Sequence, residues 1–116
     1  MPPRVLILID SDPCRDGRAA EAVRIAAGMG AWHKLELTVY LHGPAVRLLG
    51  MDNQDLPDGD HYHEYLPVLR EMGHQLRVDA DAQLPRDLAE EARAFSPLDA
   101  AGLARLAATC SHVLRF

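Results

Sequence analysis

Two residues of this sequence, Cys14 and His42, combine reactive side chains with positions next to predicted strand ends. Cys14 follows a turn that contains Asp12 and precedes a predicted helix, whose dipole favours the thiolate form of a nearby cysteine. His42 ends a predicted strand, and an imidazole there can take up or release a proton. The arrangement predicts thiol chemistry with His42 as the base, or else a loop cysteine without a role beside a hydrogen-bonded structural histidine.

His61 and His63 form a second cluster, which raises the alternative of a metal site. Histidine and carboxylate side chains bind zinc, and Asp79 and Asp81 are the carboxylates that such a site would add. A separation of two residues places the histidines on opposite sides of a helical turn, so they would share a metal only in an extended segment. The other interpretation is an ordinary polar loop and helix start.

The charge balance and the missing motifs argue against several classes of function. Lysine and arginine number 12 and aspartate and glutamate 17, and the net charge of −5 argues against a general nucleic-acid binder. The sequence contains neither a glycine-rich phosphate loop nor a Gly-x-Ser-x-Gly nucleophile elbow. We therefore expect no bound cofactor, no nucleic-acid partner, and a binding role in preference to catalysis.

The elements that position these residues alternate between apolar runs and amphipathic segments. A continuous apolar run, an alternating segment and two short segments are predicted as strands, and amphipathic spacing predicts helices between them. The strands are 5–9, 35–41, 76–80 and 112–116, and the helices are 17–30, 44–50, 62–72, 85–95 and 96–109. This order predicts one α/β domain over residues 1–116, a three-layer sandwich with a mainly parallel sheet.

Capping residues and prolines set the predicted helix boundaries. Asp16 is predicted to cap the first helix, and Ser96 is predicted to cap the last. Pro67 fits best in a first turn, so the helix after the acidic loop 51–60 is predicted to start near Tyr65. The loop itself is crowded with aspartates and is predicted to be solvated and mobile.

The ends of the predicted strands bring the candidate site together. In a parallel sheet, ligands bind where the carboxyl ends of the strands meet. The segments at those ends are 10–14, 42–44 and 79–83. They supply the residues that we expect to bind a ligand, which are Asp12, Cys14, His42, Asp79 and Asp81.

Cysteine content and hydropathy indicate the compartment. Two cysteines, Cys14 and Cys110, are too few for a disulfide framework and fit a reducing environment. No apolar run reaches the about 18 residues that a membrane span requires, and the N-terminus lacks a signal-peptide pattern. We expect a cytoplasmic protein without a membrane partner, in which Cys110 packs as a small hydrophobe.

Five segments in order resemble one known family over nearly the whole chain. They are the strand 5–9 with the Asp-Pro turn after it, the Gly-Pro-Ala-Val run at 43–46, the helix, glycine and strand at 65–80, the Arg-Asp-Leu at 86–88, and the closing segment 110–116. Together they resemble the DsrE/DsrF-like family of small α/β domains, which includes sulfur-relay proteins. The resemblance implies that family's fold and its assembly as dimers, trimers or hexamers.

The loop after the third strand departs from the family pattern. Sulfur-carrying members of the family hold a cysteine there, whereas this chain has Asp79 and Ala82 at the matching positions. A carboxylate cannot carry a persulfide, so the resemblance implies an oligomeric binding or scaffold module without sulfur-transfer activity of its own.

Trp32 and Tyr40 are expected to be exposed at interfaces between copies.

Two alternatives to the scaffold role stay open from the sequence. The first is a sulfur carrier or thiol-dependent enzyme that uses Cys14 with His42 as the base. The second is a metal site at His61 and His63. A small-molecule ligand and a protein partner are both compatible with the binding role.

Overall fold

The computed structural model describes residues 2–31 and 34–116, so that Trp32 lies outside the described residues. Five strands and three α-helices make up its regular structure, with short 3₁₀ helices at Gly43–Leu49, Asn53–Asp55 and Glu90–Ala94. The elements in chain order are β1 (Arg4–Ile9), α1 (Arg18–Gly30), β2 (Glu36–Leu41), α2 (Asp60–Glu71), β3 (Gln75–Asp79), β4 (Ser96–Leu98), α3 (Ala100–Thr109) and β5 (His112–Arg115).

The strands form one sheet in the order β4-β3-β2-β1-β5, and the four pairings within the described residues are parallel. The apolar run of β1 and the largely buried strand β2 occupy the centre, where both faces of the sheet are covered. Ile9 pairs with Leu41 and Leu41 with Val78, so the carboxyl ends of β1, β2 and β3 lie level. The predicted α/β class with a parallel sheet is confirmed.

One face of the sheet packs against α1 and α2 and holds the main core. Alternate residues of the central strands, such as Ile7 and Val39, are fully buried there. Small side chains on α1, including Ala22 and Ala26, allow that helix to approach the sheet closely. Burial of such apolar side chains contributes about 1.5–3 kcal/mol for each large one, and this layer therefore supplies most of the stability.

The other face of the sheet is covered by α3 and only thinly. A right-handed crossover from β4 at one edge back to β5 at the other places α3 opposite α1 and α2. Leu6 and Tyr40 of this face are buried. Of the residues of α3, all of which the structure describes, only Gly102 is buried, and Val113 on β5 is half-exposed. The three-layer arrangement is thus confirmed, with an outer layer that leaves apolar surface uncovered.

The segment from 85 to 98 differs from the prediction of two successive helices. Residues before Glu90 are extended, and Leu88 forms an antiparallel bridge with Gly50. Ser96 does not cap a helix but begins the edge strand β4, where a proline is tolerated because one side of the strand is unpaired. The cap of α3 is Asp99, whose carboxylate accepts a hydrogen bond from the amide of Gly102 at 2.7 Å.

Helix boundaries elsewhere differ by a few residues from those predicted. Gly17 is the N-cap residue of α1, while the Asp16 carboxylate accepts a hydrogen bond from the Arg18 amide at 2.9 Å. Pro67 lies inside α2, which begins at Asp60, so the predicted start near Tyr65 is wrong.

The acidic loop 51–60 is largely exposed to solvent, as predicted, and is anchored to the domain at Asn53 and Gly59. Asn53 within it is fully buried, and its amide donates a hydrogen bond to the Leu48 carbonyl at 2.9 Å. Gly59 approaches the same turn so closely that a Cβ atom would lie 2.3 Å from the Asn53 carbonyl oxygen. These two buried residues attach the loop to the rest of the domain.

Candidate functional site

The expected site residues all lie in the segments that follow the carboxyl ends of β1, β2 and β3. Asp12 and Cys14 follow β1, His42 follows β2, and Asp79 and Asp81 end and follow β3. Because the three strands end level, these segments meet at one edge of the sheet. The geometry divides them into two adjoining groups, one around His42 and one around Cys14.

His42 and Asp79 form an acid–base pair across neighbouring strands. The His42 Nε2 atom lies 3.6 Å from the Asp79 Oδ2 atom, which is an ion-pair distance when the imidazole is protonated. The other carboxylate oxygen of Asp79 accepts a hydrogen bond from the Asp81 amide at 3.0 Å. Asp79 is therefore held in place, and its side chain is only 20% exposed to solvent. The His42 side chain is 53% exposed and could contact a ligand.

Tyr40 forms the floor beneath this pair, a role that sequence reasoning missed. Two residues apart on one strand, Tyr40 and His42 point to the same face of the sheet, and their rings stack with centroids 6.5 Å apart. Tyr40 is buried, so the prediction that it is exposed at an interface is wrong; the face that it occupies is covered by α3. Burial first, and then the negative charges of Asp79 and Asp81, raise the pKa of Tyr40 and keep it protonated.

Asp12 and Arg47 define the second group. One Asp12 oxygen accepts a hydrogen bond from the Cys14 amide at 2.9 Å, and the other lies 3.1 Å from Arg47 Nη1. The amide of Cys14, followed by the charge of Arg47, holds the pKa of Asp12 below its usual range. Arg47 was not among the predicted residues, because it comes from a 3₁₀ helix rather than a strand end.

Cys14 lies on an open groove of about 420 Å³ rather than beside His42. The residues that line this groove include Cys14, Arg47, Leu84 and Pro85, and His42 is not one of them. Cys14 itself is exposed and precedes the first residue of α1 by four positions, in a turn that Asp12 holds. The two candidate catalytic residues therefore belong to neighbouring groups, and the described contacts do not join thiol to imidazole.

His61 and His63 contact different elements and share no site. The His61 ring meets the Tyr65 ring edge to face at 5.6 Å, whereas His63 Nδ1 pairs with the carboxylate of Glu91. Within residues 2–31 and 34–116, no group of three or more histidine, cysteine or acidic side chains has metal-ligating geometry. The helix that carries both histidines turns them apart, as the two-residue spacing requires.

Cys110 lies at the opposite, amino-terminal edge of the sheet. It is partly buried, and burial raises the pKa of its thiol. It borders a cavity of about 540 Å³ whose walls include Arg4, Thr38 and Leu106. This cavity is remote in the fold from the strand ends where the predicted ligand-binding residues lie.

A parallel five-stranded sheet, with helices on both faces and polar residues at its strand ends, defines a small doubly wound α/β domain. The model of the DsrE/DsrF-like family matches residues 4–116, and the chain belongs to this family. Its fold resembles the crystal structure of the ychN protein from E. coli, with a TM-score of 0.73, 18% sequence identity and complete coverage of both chains. No curated protein sequence matches the chain significantly.

The helices of the described segments are too short or too polar to cross a membrane. The longest of them, α1, has 13 residues, whereas a span needs about 20.

Proposed function

We propose that this DsrE-like domain is a binding module that assembles with copies of itself and transfers no sulfur of its own. The observation that carries this proposal is the state of the loop after β3. Sulfur-carrying relatives resemble this chain but place a thiol there, whereas here Asp79 occupies the position and faces His42. A carboxylate forms no persulfide, and this one is already engaged by an amide and an imidazole.

The strand-end site supports binding of a ligand by two adjoining groups. His42 offers an imidazole above the buried Tyr40 ring, and its partner Asp79 fixes its surroundings. Asp12 and Arg47 close the neighbouring side as an ion pair. Since the Asp79 and Asp12 carboxylates already face His42 and Arg47, the site favours recognition by hydrogen bonds over catalysis by an unpaired charge.

Self-assembly is supported by the thin layer over the second face of the sheet. The helix α3 is rich in alanine and leucine, yet among its described residues only Gly102 is buried. The adjacent edge strand β5 carries the half-exposed Val113 and has one unpaired side. Apolar surface and an open strand edge of this kind are usually covered in the native state, and we propose that a second copy covers them.

Exposure of Cys14 at the groove favours a second candidate, in which this thiol is reactive. Alkylation with iodoacetamide at several pH values, followed by mass spectrometry, distinguishes the binding module from the thiol-dependent role. The binding module predicts ordinary thiol reactivity at Cys14, and a Cys14→Ser variant that still binds and assembles normally. A Cys14 that is alkylated rapidly well below neutral pH, together with loss of that rate in His42→Ala, would instead support the thiol-dependent role.

A further inference from the structure

A groove beside the strand-end site is formed by two segments that pair with each other. The Met51 amide donates a hydrogen bond to the Asp87 carbonyl at 2.8 Å, and the Ala89 amide donates one to the Leu49 carbonyl at 2.8 Å. On either side of this short ladder lie two concavities of about 480 and 420 Å³, which share Gly50, Asp52 and Pro85. We call the continuous surface, residues 50–52, 56 and 83–87 with Cys14 and Arg47, the strand-end groove.

Large apolar side chains line the strand-end groove and are exposed to solvent. Met51 is 69% exposed and Leu84 is 44% exposed, and Leu56 and Pro85 extend the same lining. A single exposed leucine is common on protein surfaces. Several around one concavity are typical of a surface that is covered by a partner.

The charge around the groove is strongly negative. Asp52, Asp55, Asp58 and Asp60 crowd residues 52–60, and Asp12 and Asp16 lie in the turn after β1. Asp58 lies against that turn at Gly17. The charged residues that line the groove are Asp52, Asp87, Arg47 and Arg86, and Arg47 already pairs with Asp12. The surrounding aspartates, which exceed the nearby arginines, are Asp12, Asp16, Asp55, Asp58 and Asp60.

We infer that the strand-end groove binds a basic polypeptide segment, with one or two apolar side chains in the groove and lysines or arginines facing the surrounding aspartates. An apolar centre with a charged rim is the usual anatomy of a protein interface. The same edge of a second copy is disfavoured, because it would bring two acidic surfaces together in a chain of net charge −5. The inference names a partner for the binding role proposed above and rests on that role, not on self-association.

Fluorescence anisotropy with two labelled peptides tests the inference. The probe is a blocked 12-residue peptide of alternating leucine and lysine, and its match replaces each lysine by glutamate. We expect the lysine peptide to bind, with a dissociation constant that rises about tenfold or more between low and high salt as the charges are screened. The glutamate peptide is expected not to bind at the same concentrations.

Matched variants locate the binding. Met51→Ser with Leu84→Ser is expected to weaken binding of the lysine peptide about tenfold or more, since two exposed apolar contacts are lost. Val68→Ser removes an exposed valine on α2, outside the groove, and is expected to leave the affinity unchanged. Asp55→Asn with Asp60→Asn removes two of the surrounding charges and is expected to weaken binding and to flatten its salt dependence.

Several outcomes would overturn the inference. These are equal affinity for both peptides, no effect of the groove variants, and an equal effect of Val68→Ser. Changes in the amide chemical shifts of the wild-type protein on adding the lysine peptide are a second measurement, which does not depend on whether any variant folds. Shifts confined to 49–56 and 83–89 support the groove, and shifts confined to α3 and β5 contradict it. Either result leaves the oligomeric state and the sulfur chemistry to be judged separately.

Discussion

At the scale of single residues, the ionised carboxylate of Asp12 holds together the turn that carries Cys14. Its pKa is lowered in the folded state from an ordinary value of 3.8, chiefly by the Cys14 amide and also by Arg47. A depressed pKa stabilises the fold at pH values above that of the unfolded chain, and the contribution disappears as the pH falls through the folded pKa. Asp12 therefore stabilises the fold at neutral pH.

We predict that Asp12→Asn lowers the stability at pH 7 and that its difference from the wild type shrinks as the pH falls below 3.8. The amide side chain keeps an acceptor for Cys14 but loses the charge opposite Arg47. Urea unfolding from pH 2 to pH 7 measures the difference. Asp55→Asn, at an exposed position in the loop 51–60, is the control. If Asp12→Asn were still less stable than the wild type by the same amount at pH 2, the role of the Asp12 charge would be contradicted.

The position of the site residues could be predicted from the sequence only in part. Asp12, His42 and Asp79 could be placed at one edge, because apolar runs locate the strands and parallel strands end level. Arg47 could not, since its contact with Asp12 joins residues 35 apart through a helix that no strand pattern describes. The burial of Tyr40 could not be predicted either, because it depends on α3 lying across that face of the sheet.

At the scale of elements, the end of α1 is closed by a side chain from a distant loop. The His74 Nε2 atom lies 2.9 Å from the Gly30 carbonyl oxygen, which has no further helical turn to bond with. A Cβ atom at Gly30 would lie 2.7 Å from the same Nε2 atom, so no larger residue fits beside the ring. The glycine thus permits the imidazole to cap the helix.

We predict that Gly30→Ala is less stable than Gly28→Ala by about 1–2 kcal/mol, because only the first displaces His74 and its hydrogen bond. Both variants gain the same helix propensity, and a Cβ atom at Gly28 meets nothing within 4 Å. Gly28→Ala alone is expected to be more stable than the wild type by about 0.5–1 kcal/mol. Thermal unfolding of the pair measures the difference, and equal stabilities would contradict the role of His74.

The elements themselves could be predicted where their pattern is local. Long apolar runs located four of the strands, and alanine spacing located α1 within one residue. The strand β4 could not be predicted, because three residues that include Pro97 carry no alternation. The helix predicted over 85–95 is reduced to the 3₁₀ helix Glu90–Ala94, since Leu88 pairs with Gly50 and residues 85–89 are not helical.

At the scale of the whole molecule, the two faces of the sheet are covered unequally. The side of α1 and α2 holds a continuous core, whereas α3 and β5 leave apolar groups such as Val113 in solvent. This imbalance follows from topology, because a single crossover has to cover a face that two helices cover on the other side. It is the physical basis of the proposed self-assembly.

We predict that the wild-type protein is an oligomer in light scattering at micromolar concentration, since association would bury the second face. Val113→Arg places a charge on that face and is expected to shift the protein toward a monomer. Val68→Arg, a matched change on α2, is expected to leave the mass unchanged. A monomeric wild type, or equal effects of both variants, would contradict self-assembly through α3 and β5.

The most direct test of the account is mass spectrometry of the intact protein after incubation with a sulfane-sulfur donor and then with a thiol acceptor. The account predicts that neither Cys14 nor Cys110 retains a sulfur atom that passes to the acceptor, in the wild type as in Cys14→Ser. A stable persulfide on either thiol of the wild type, lost from the protein as it is gained by the acceptor, would contradict the proposal.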